Sequence, residues 1–142
     1  MRNGADNWWQ YAIIDLKSAR LLLAEGIYTQ ACFHAQQAVE KALKAVIAAR
    51  GGTPPRTHKI SLLVEMTSLP LEDLANELND LDLVYLPTRY PDALPGTLPE
   101  GEPSRELAAR CVDLAGEVVD RIAKYLRERA GLSAPEDSPE ES

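Results

Sequence analysis

Ala31, Ala35, Ala38, Ala42, Ala45 and Ala49 recur at alternating spacings of four and three. That spacing places six methyl groups along one side of a helix. A stripe made only of methyls lets a second helix backbone come close, so this segment demands a tightly packed neighbour. Cys32, Val39, Leu43 and Val46 widen the apolar face. The segment from about Thr29 to Arg50 is therefore read as the central helix of a bundle, stopped by Gly51-Gly52 and then Pro54-Pro55.

The remaining segments read as partners for it. A first helix spans about 6–25, with Trp9, Ala12, Ile13, Leu16, Ala19 and Leu23 inward, Asp6 as N-cap and Gly26 as its stop. Asp15, Lys17 and Arg20 fall outside that stripe. "RTHKISLLVEM" starts a shorter third helix capped by Thr57, with Ile60, Leu63 and Met66 on one side. A fourth runs from Pro70 to Pro87, with Leu71, Leu74, Leu78 and Leu81 opposite its acids. A last helix covers about 104–130, with Leu107, Cys111, Leu114, Val118, Ile122 and Tyr125 inward. No strand pattern or internal repeat is present. The fold class expected is all-α: an up-and-down antiparallel four-helix bundle plus a short fifth helix. The bundle occupies 1–130, and residues 131–142 form a disordered acidic tail.

Charge narrows the possible partners. The chain of 142 residues carries a net charge of −7, but "SAPEDSPEES" holds four acids and no base, so residues 1–130 sum to −3. Residues 41–59 contain Lys41, Lys44, Arg50, Arg56 and Lys59 and no acid. Residues 65–82 contain Glu65, Glu72, Asp73, Glu77, Asp80 and Asp82 and no base. An acidic total argues against a non-specific DNA coat and is compatible with a local basic patch for phosphate or RNA. No apolar run reaches the roughly 20 residues of a membrane span. "MRNGADNWWQ" lacks the apolar stretch of a secretory signal, so a cytoplasmic protein is expected. Cys32 and Cys111 have neither CxxC spacing nor a His at metal spacing and read as buried hydrophobes, with no disulfide, zinc site or cofactor.

Three segments could carry chemistry. In "CFHAQQAVEKALKA", His34, Gln37, Lys41 and Lys44 share a strip, with Gln36 and Glu40 beside it. This is either a solvated face with a Glu40–Lys44 ion pair or a ligand-facing one. In "RTHK", Arg56, His58 and Lys59 surround a helix start, where free N–H groups and cations suit a phosphate; the alternative is a His that only fixes the turn. In "PTRYPDALP", Arg89 can clamp a carboxylate or phosphate and Tyr90 can stack, unless Arg89 pins the loop to Asp82 or Asp92. The loop over 87–103 is long for a bundle, which suits a functional segment.

"YTQACFHAQQAVEKALKAVI", then "PRTHKISLL", then "LDLVYLPTRYPD" resemble, in that order and spacing, the HEPN domain (higher eukaryotes and prokaryotes nucleotide-binding). "WWQYAIIDLKSARLLLAEGIY" resembles its first helix, and the resemblance covers about 7–127. It implies an up-and-down helical bundle, a homodimer, and pairing with a small nucleotidyltransferase in a toxin–antitoxin-like system. Other members are RNases or bind nucleotides. The RNase signature, Arg then four to six residues then His, fails here: the positions that would serve His58 are Gly51, Gly52 and Thr53. No tyrosine follows His58 as in some toxin members. The expectation is a non-catalytic module holding phosphate with Arg56, His58, Lys59 and Arg89, with Lys41 and Gln37 alongside and Tyr90 stacking on a base. One alternative is a metal-independent RNase using His58 with Arg56 or Arg89. Another is a purely structural dimeric scaffold.

Overall fold

The computed structural model describes residues 4–84 and 102–130. Among the described residues there are five α-helices: α1 (Ala5–Ala24), α2 (Tyr28–Ala49), α3 (Ile60–Thr67), α4 (Ala75–Val84) and α5 (Arg105–Ala130). A single 3₁₀ turn, Glu72–Leu74, leads into α4, and no strand occurs among the described residues. The expected fourth helix is thus split, because the chain after Pro70 begins as a tighter turn. The fold class is all-α, as the sequence predicts.

α2 is the centre, packing against each of the other four helices and most extensively against α1. Ala31, Ala35, Ala38, Ala42 and Ala45 are fully buried, and Ala49 is partly so. α1 runs antiparallel to α2: Trp8 lies against Lys44, Tyr11 against Lys41, and Asp15 against His34. The connection between them is short because α1 ends in a Schellman motif. Gly26 takes φ +76°, its N–H donates to the Leu23 carbonyl at 3.1 Å, and the Ile27 N–H donates to Leu22 at 2.9 Å. α2 ends the same way, with Gly51 at φ +88° and the Gly52 N–H on the Ile47 carbonyl at 3.0 Å.

Several local expectations change. The N-cap of α1 is Gly4 rather than Asp6, which lies inside the first turn. Ile13 faces out, and Asp15 is buried. Met66 is exposed, whereas Ile60 and Leu63 are fully buried. Thr57 accepts the Lys59 N–H; the helix it was expected to cap is capped from elsewhere, as set out below. At α5 the Ser104 hydroxyl accepts the Leu107 N–H, an N-cap that holds the helix start. Cys32 and Cys111 are free and buried. No helix among the described residues is long and apolar enough to cross a membrane. Arg89, Tyr90 and the acidic tail lie outside the described residues.

Candidate functional site

Two carboxylates sit where an amphipathic helix would place apolar residues. Glu40 of α2 is 3% exposed. Its Oε2 accepts from Lys44 Nζ at 2.9 Å, and its Oε1 from Gln37 Nε2 at 3.2 Å. The same Oε1 faces His58 Nδ1 at 3.0 Å. A carboxylate there selects the ring form with the proton on Nδ1. Gln36, fully buried, donates from Nε2 to the His58 backbone carbonyl at 2.9 Å, and its Oε1 accepts from Gln37 at 2.7 Å. His58 is therefore held twice by α2, through its ring and through its backbone, while its side chain stays 57% exposed. Glu40–Lys44 is not the solvated pair that i,i+4 spacing suggests. Trp8 of α1, with Lys44 Nζ 5.3 Å from its ring centroid, and the segment bearing His58 cover it.

The second carboxylate is Asp15 of α1, 7% exposed. Its two oxygens meet His34 Nδ1 at 2.8 Å and Lys41 Nζ at 2.7 Å. Lys41 Nζ also lies 5.6 Å from the Tyr11 ring centroid, and Phe33 packs edge-on to the His34 ring. The strip His34, Gln37, Lys41, Lys44 thus divides between two carboxylates: the first and third to Asp15, the second and fourth to Glu40. Each carboxylate bridges one histidine and one lysine, and each of those lysines lies over an aromatic ring of α1.

The start of α3 is also occupied. Ile60 N–H donates to Asp82 Oδ1 at 2.5 Å and Ser61 N–H to Asp82 Oδ2 at 3.0 Å. The amides expected to receive a phosphate thus already hold a carboxylate from α4, which satisfies the same donors and the same helix dipole. Asp82 is accordingly engaged with backbone. What this arrangement leaves at the surface is a side-chain edge: Arg56, His58 and Lys59 are all exposed, on a segment fixed to α2 by Gln36 and Glu40. Of the residues expected to bind, Arg56, His58 and Lys59 come together. Gln37 is bonded to the same Gln36 and Glu40 that hold His58, whereas Lys41 belongs to the Asp15 cluster, so the structure does not bring Lys41 to this edge.

Sequence reasoning missed Asp15 and Asp82 and undervalued Gln36, Glu40 and Lys44. Asp15 was legible: it stands three after Ala12 and four before Ala19, within the inward arc of α1. Asp82 gave no local signal, since its partners are 21 and 22 residues away. Among the described residues no group of three or more His, Cys, Asp or Glu could hold a metal ion.

Comparison with known proteins agrees with this architecture. The chain is 32% identical over 130 residues to a Methanocaldococcus jannaschii protein described as "Putative toxin MJ1304", covering 83% of this chain and 85% of that one. The crystal structure of TT1696 from Thermus thermophilus superposes with a TM-score of 0.72 at 37% identity, over 88% of this chain and 100% of that one. That of ST0689, described as an archaeal HEPN homologue, gives 0.70 at 31%, over 88% and 98%. The HEPN domain model matches residues 5–126. With that match over most of its length, the chain belongs to the HEPN domain family.

Proposed function

We propose that this protein is a toxin-like HEPN module that binds a nucleotide or RNA phosphate on the Arg56–His58–Lys59 edge and partners a small nucleotidyltransferase. The observation that carries the binding half is the double fixing of His58. Its ring meets buried Glu40 and its carbonyl accepts from buried Gln36, so three adjacent polar side chains are presented on a segment that cannot drift. Holding a cationic edge in one place before the ligand arrives lowers the entropy lost on binding. Lys44 offsets the Glu40 charge behind the edge, and Arg56 and Lys59 bring two exposed cations to it. The toxin-like role rests on likeness to the Methanocaldococcus protein, and the partner on family resemblance. Arg89 and Tyr90 extend the edge in this reading, with Tyr90 stacking on a base. A second copy of the chain completes the assembly.

One observation favours a second reading. With the Nδ1 proton directed at Glu40, the other ring nitrogen carries the lone pair a general base needs. His58 with Arg56 would then cleave RNA without metal, Arg56 stabilising the charge on the pentavalent phosphorus. Titration calorimetry with ATP, GTP, AMP and a short single-stranded RNA, followed by a gel of the RNA, separates the readings. Binding that is weakened by Arg56→Ala and His58→Ala, with the RNA intact, supports the binding module. Cleavage abolished by His58→Ala gives the site to the RNase. Absence of heat for every ligand together with intact RNA removes both.

A further inference from the structure

α3 and α4 carry a charge pattern that the phosphate-binding edge does not use. From Ile60 to Val84 there are six acids and no base. Asp73 and Asp82 are taken up by Arg121 and by the amides of α3. Glu65 and Glu72 are exposed, and their carboxylates make no hydrogen bond or ion pair among the described residues. Both line a groove of about 440 Å³ between the two helices, Glu65 from α3 and Glu72 from the 3₁₀ turn. The floor of the groove is apolar: Leu69, Leu71 and Leu78 are buried there, with Val64 half-buried beside them. Ser68, at φ +53°, turns the chain out of α3 and brings Leu69 and Leu71 to that floor. On the α4 side, Ala75 has only a methyl group, which leaves the groove open. Leu62 and Met66 add two exposed apolar side chains to α3.

We propose that this groove docks a basic amphipathic helix of another protein, with an apolar side chain seated on the leucine floor and Lys or Arg beside it meeting Glu65 and Glu72. Apolar anchors supply contact area in such a pairing, and the flanking charges set register and choice of partner. The volume lies within the roughly 300–1,000 Å³ of built pockets, enough to take a large side chain. Segments of this chain match the groove less well. "SAPEDSPEES" has four acids and no base, and residues 85–101 have one base, Arg89, against Asp92 and Glu100. The Arg56–Lys59 edge is basic, but from Gly52 to Lys59 there is no Leu, Ile, Val, Met, Phe, Tyr or Trp to serve as an anchor. The nearest rival is α1 of a second copy, where Lys17 and Arg20 stand between exposed Ile14 and Leu21. Two copies that each carry a net charge of −7 repel, whereas a basic partner is drawn in by the same charge.

The groove shares no lining residue with the Arg56–His58–Lys59 edge and does not depend on that reading. The test uses the full chain with labelled methyl groups and a synthetic peptide of about 14 leucine and lysine residues in helical register, long enough to hold a helix. The same peptide with glutamate in place of lysine is the control. At physiological salt the lysine peptide should shift the methyl signals of Val64, Leu69, Leu71 and Leu78 saturably, and the glutamate peptide should leave them in place. Glu65→Lys combined with Glu72→Lys should weaken binding about tenfold or more. Ala75→Trp should do the same by filling the groove. Glu77→Lys combined with Asp80→Lys reverses equal charge outside the groove and should change the affinity less than about threefold. All five positions are exposed, and circular dichroism checks that each variant folds. Equal weakening by the two pairs would reduce the effect to diffuse charge attraction and overturn the proposal. Shifts confined to other surfaces, or no shift with the lysine peptide, would overturn it as well. Groove signals that change with protein concentration alone, and cease to do so in Lys17→Glu combined with Arg20→Glu, would give the groove to a second copy instead.

Discussion

Glu40 shows how a single buried charge is kept. Its carboxylate is almost fully excluded from water, and so is the Lys44 ammonium it binds. Neither ion would remain charged there alone, and together with Gln37 and His58 they satisfy each other. Glu40→Ala strands the Lys44 charge and should destabilise the fold by about 3–5 kcal/mol, read as a fall in the urea midpoint. His58→Ala removes a mostly exposed ring and should cost less than about 1 kcal/mol by the same measurement. A ligand-binding loss from His58→Ala is therefore separable from unfolding, whereas one from Glu40→Ala is not. Glycine positions divide in the same way. Gly26, at φ +76°, should lose about 1 kcal/mol on substitution by alanine, because an L side chain is strained there. Gly116 behaves oppositely. A Cβ on it would lie 2.8 Å from Arg20 Nη2, the far end of a flexible and exposed side chain that can move away. Gly116→Ala should raise stability by about 0.5–1 kcal/mol through helix propensity, seen as a higher Tm.

At the scale of elements, α3 is an eight-residue helix whose start is stabilised from outside. Isolated helices of that length do not persist, so its backbone donors must be met by tertiary partners. Asp82 meets two of them. Asp82→Ala should cost about 1–2 kcal/mol and loosen the start of α3, immediately after His58. Amide hydrogen exchange should show faster exchange at Ile60 and Ser61 in this variant, with α1 and α5 unchanged. Unaltered exchange at both amides would mean that Asp82 does not hold this helix. The packing of α2 among its neighbours follows from the opposite device, a stripe with almost no side chain. Ala38 and Ala42 are fully buried against neighbours, so a leucine at either has no space to enter.

Across the whole molecule, the 3₁₀ turn and α5 are tied by Arg121, whose guanidinium forms two hydrogen bonds to Asp73, at 2.8 and 2.7 Å, and one to Glu117 at 2.8 Å. The Arg121 hydrogen bonds hold the Asp73 carboxyl below the usual carboxylate range. A carboxylate with a depressed folded value contributes stability at pH above its unfolded value. That contribution disappears as pH falls through the folded value. Asp73→Asn should therefore melt below the wild type at neutral pH, and the two curves should converge as the solution is acidified beneath the ordinary aspartate range. Because the pair is exposed, raising the salt concentration should narrow the gap as well. A gap that persists unchanged in strong acid would show that the tether does not act through the charge.

The residues by themselves determined the all-α class, the central place of α2 and the extents of α1, α2 and α5 to within a residue or two. Each depends on short-range periodicity, which a chain carries locally: the alanine stripe, the glycine stops, the leucine row before the proline-rich loop. The family was legible for the same reason, since its three segments are contiguous. The basic edge could be picked out because Arg56, His58 and Lys59 are close in sequence. Only the tertiary structure decided which polar residues are partners. Glu40 meets His58 across 18 residues, and Asp15 meets Lys41 across 26. Whether a carboxylate is solvated or buried depends on what folds over it, and spacing along one helix does not contain that information. The same physics filled the start of α3 with Asp82: a helix terminus must find an acceptor, and packing of α4 beside α3 brought one to it.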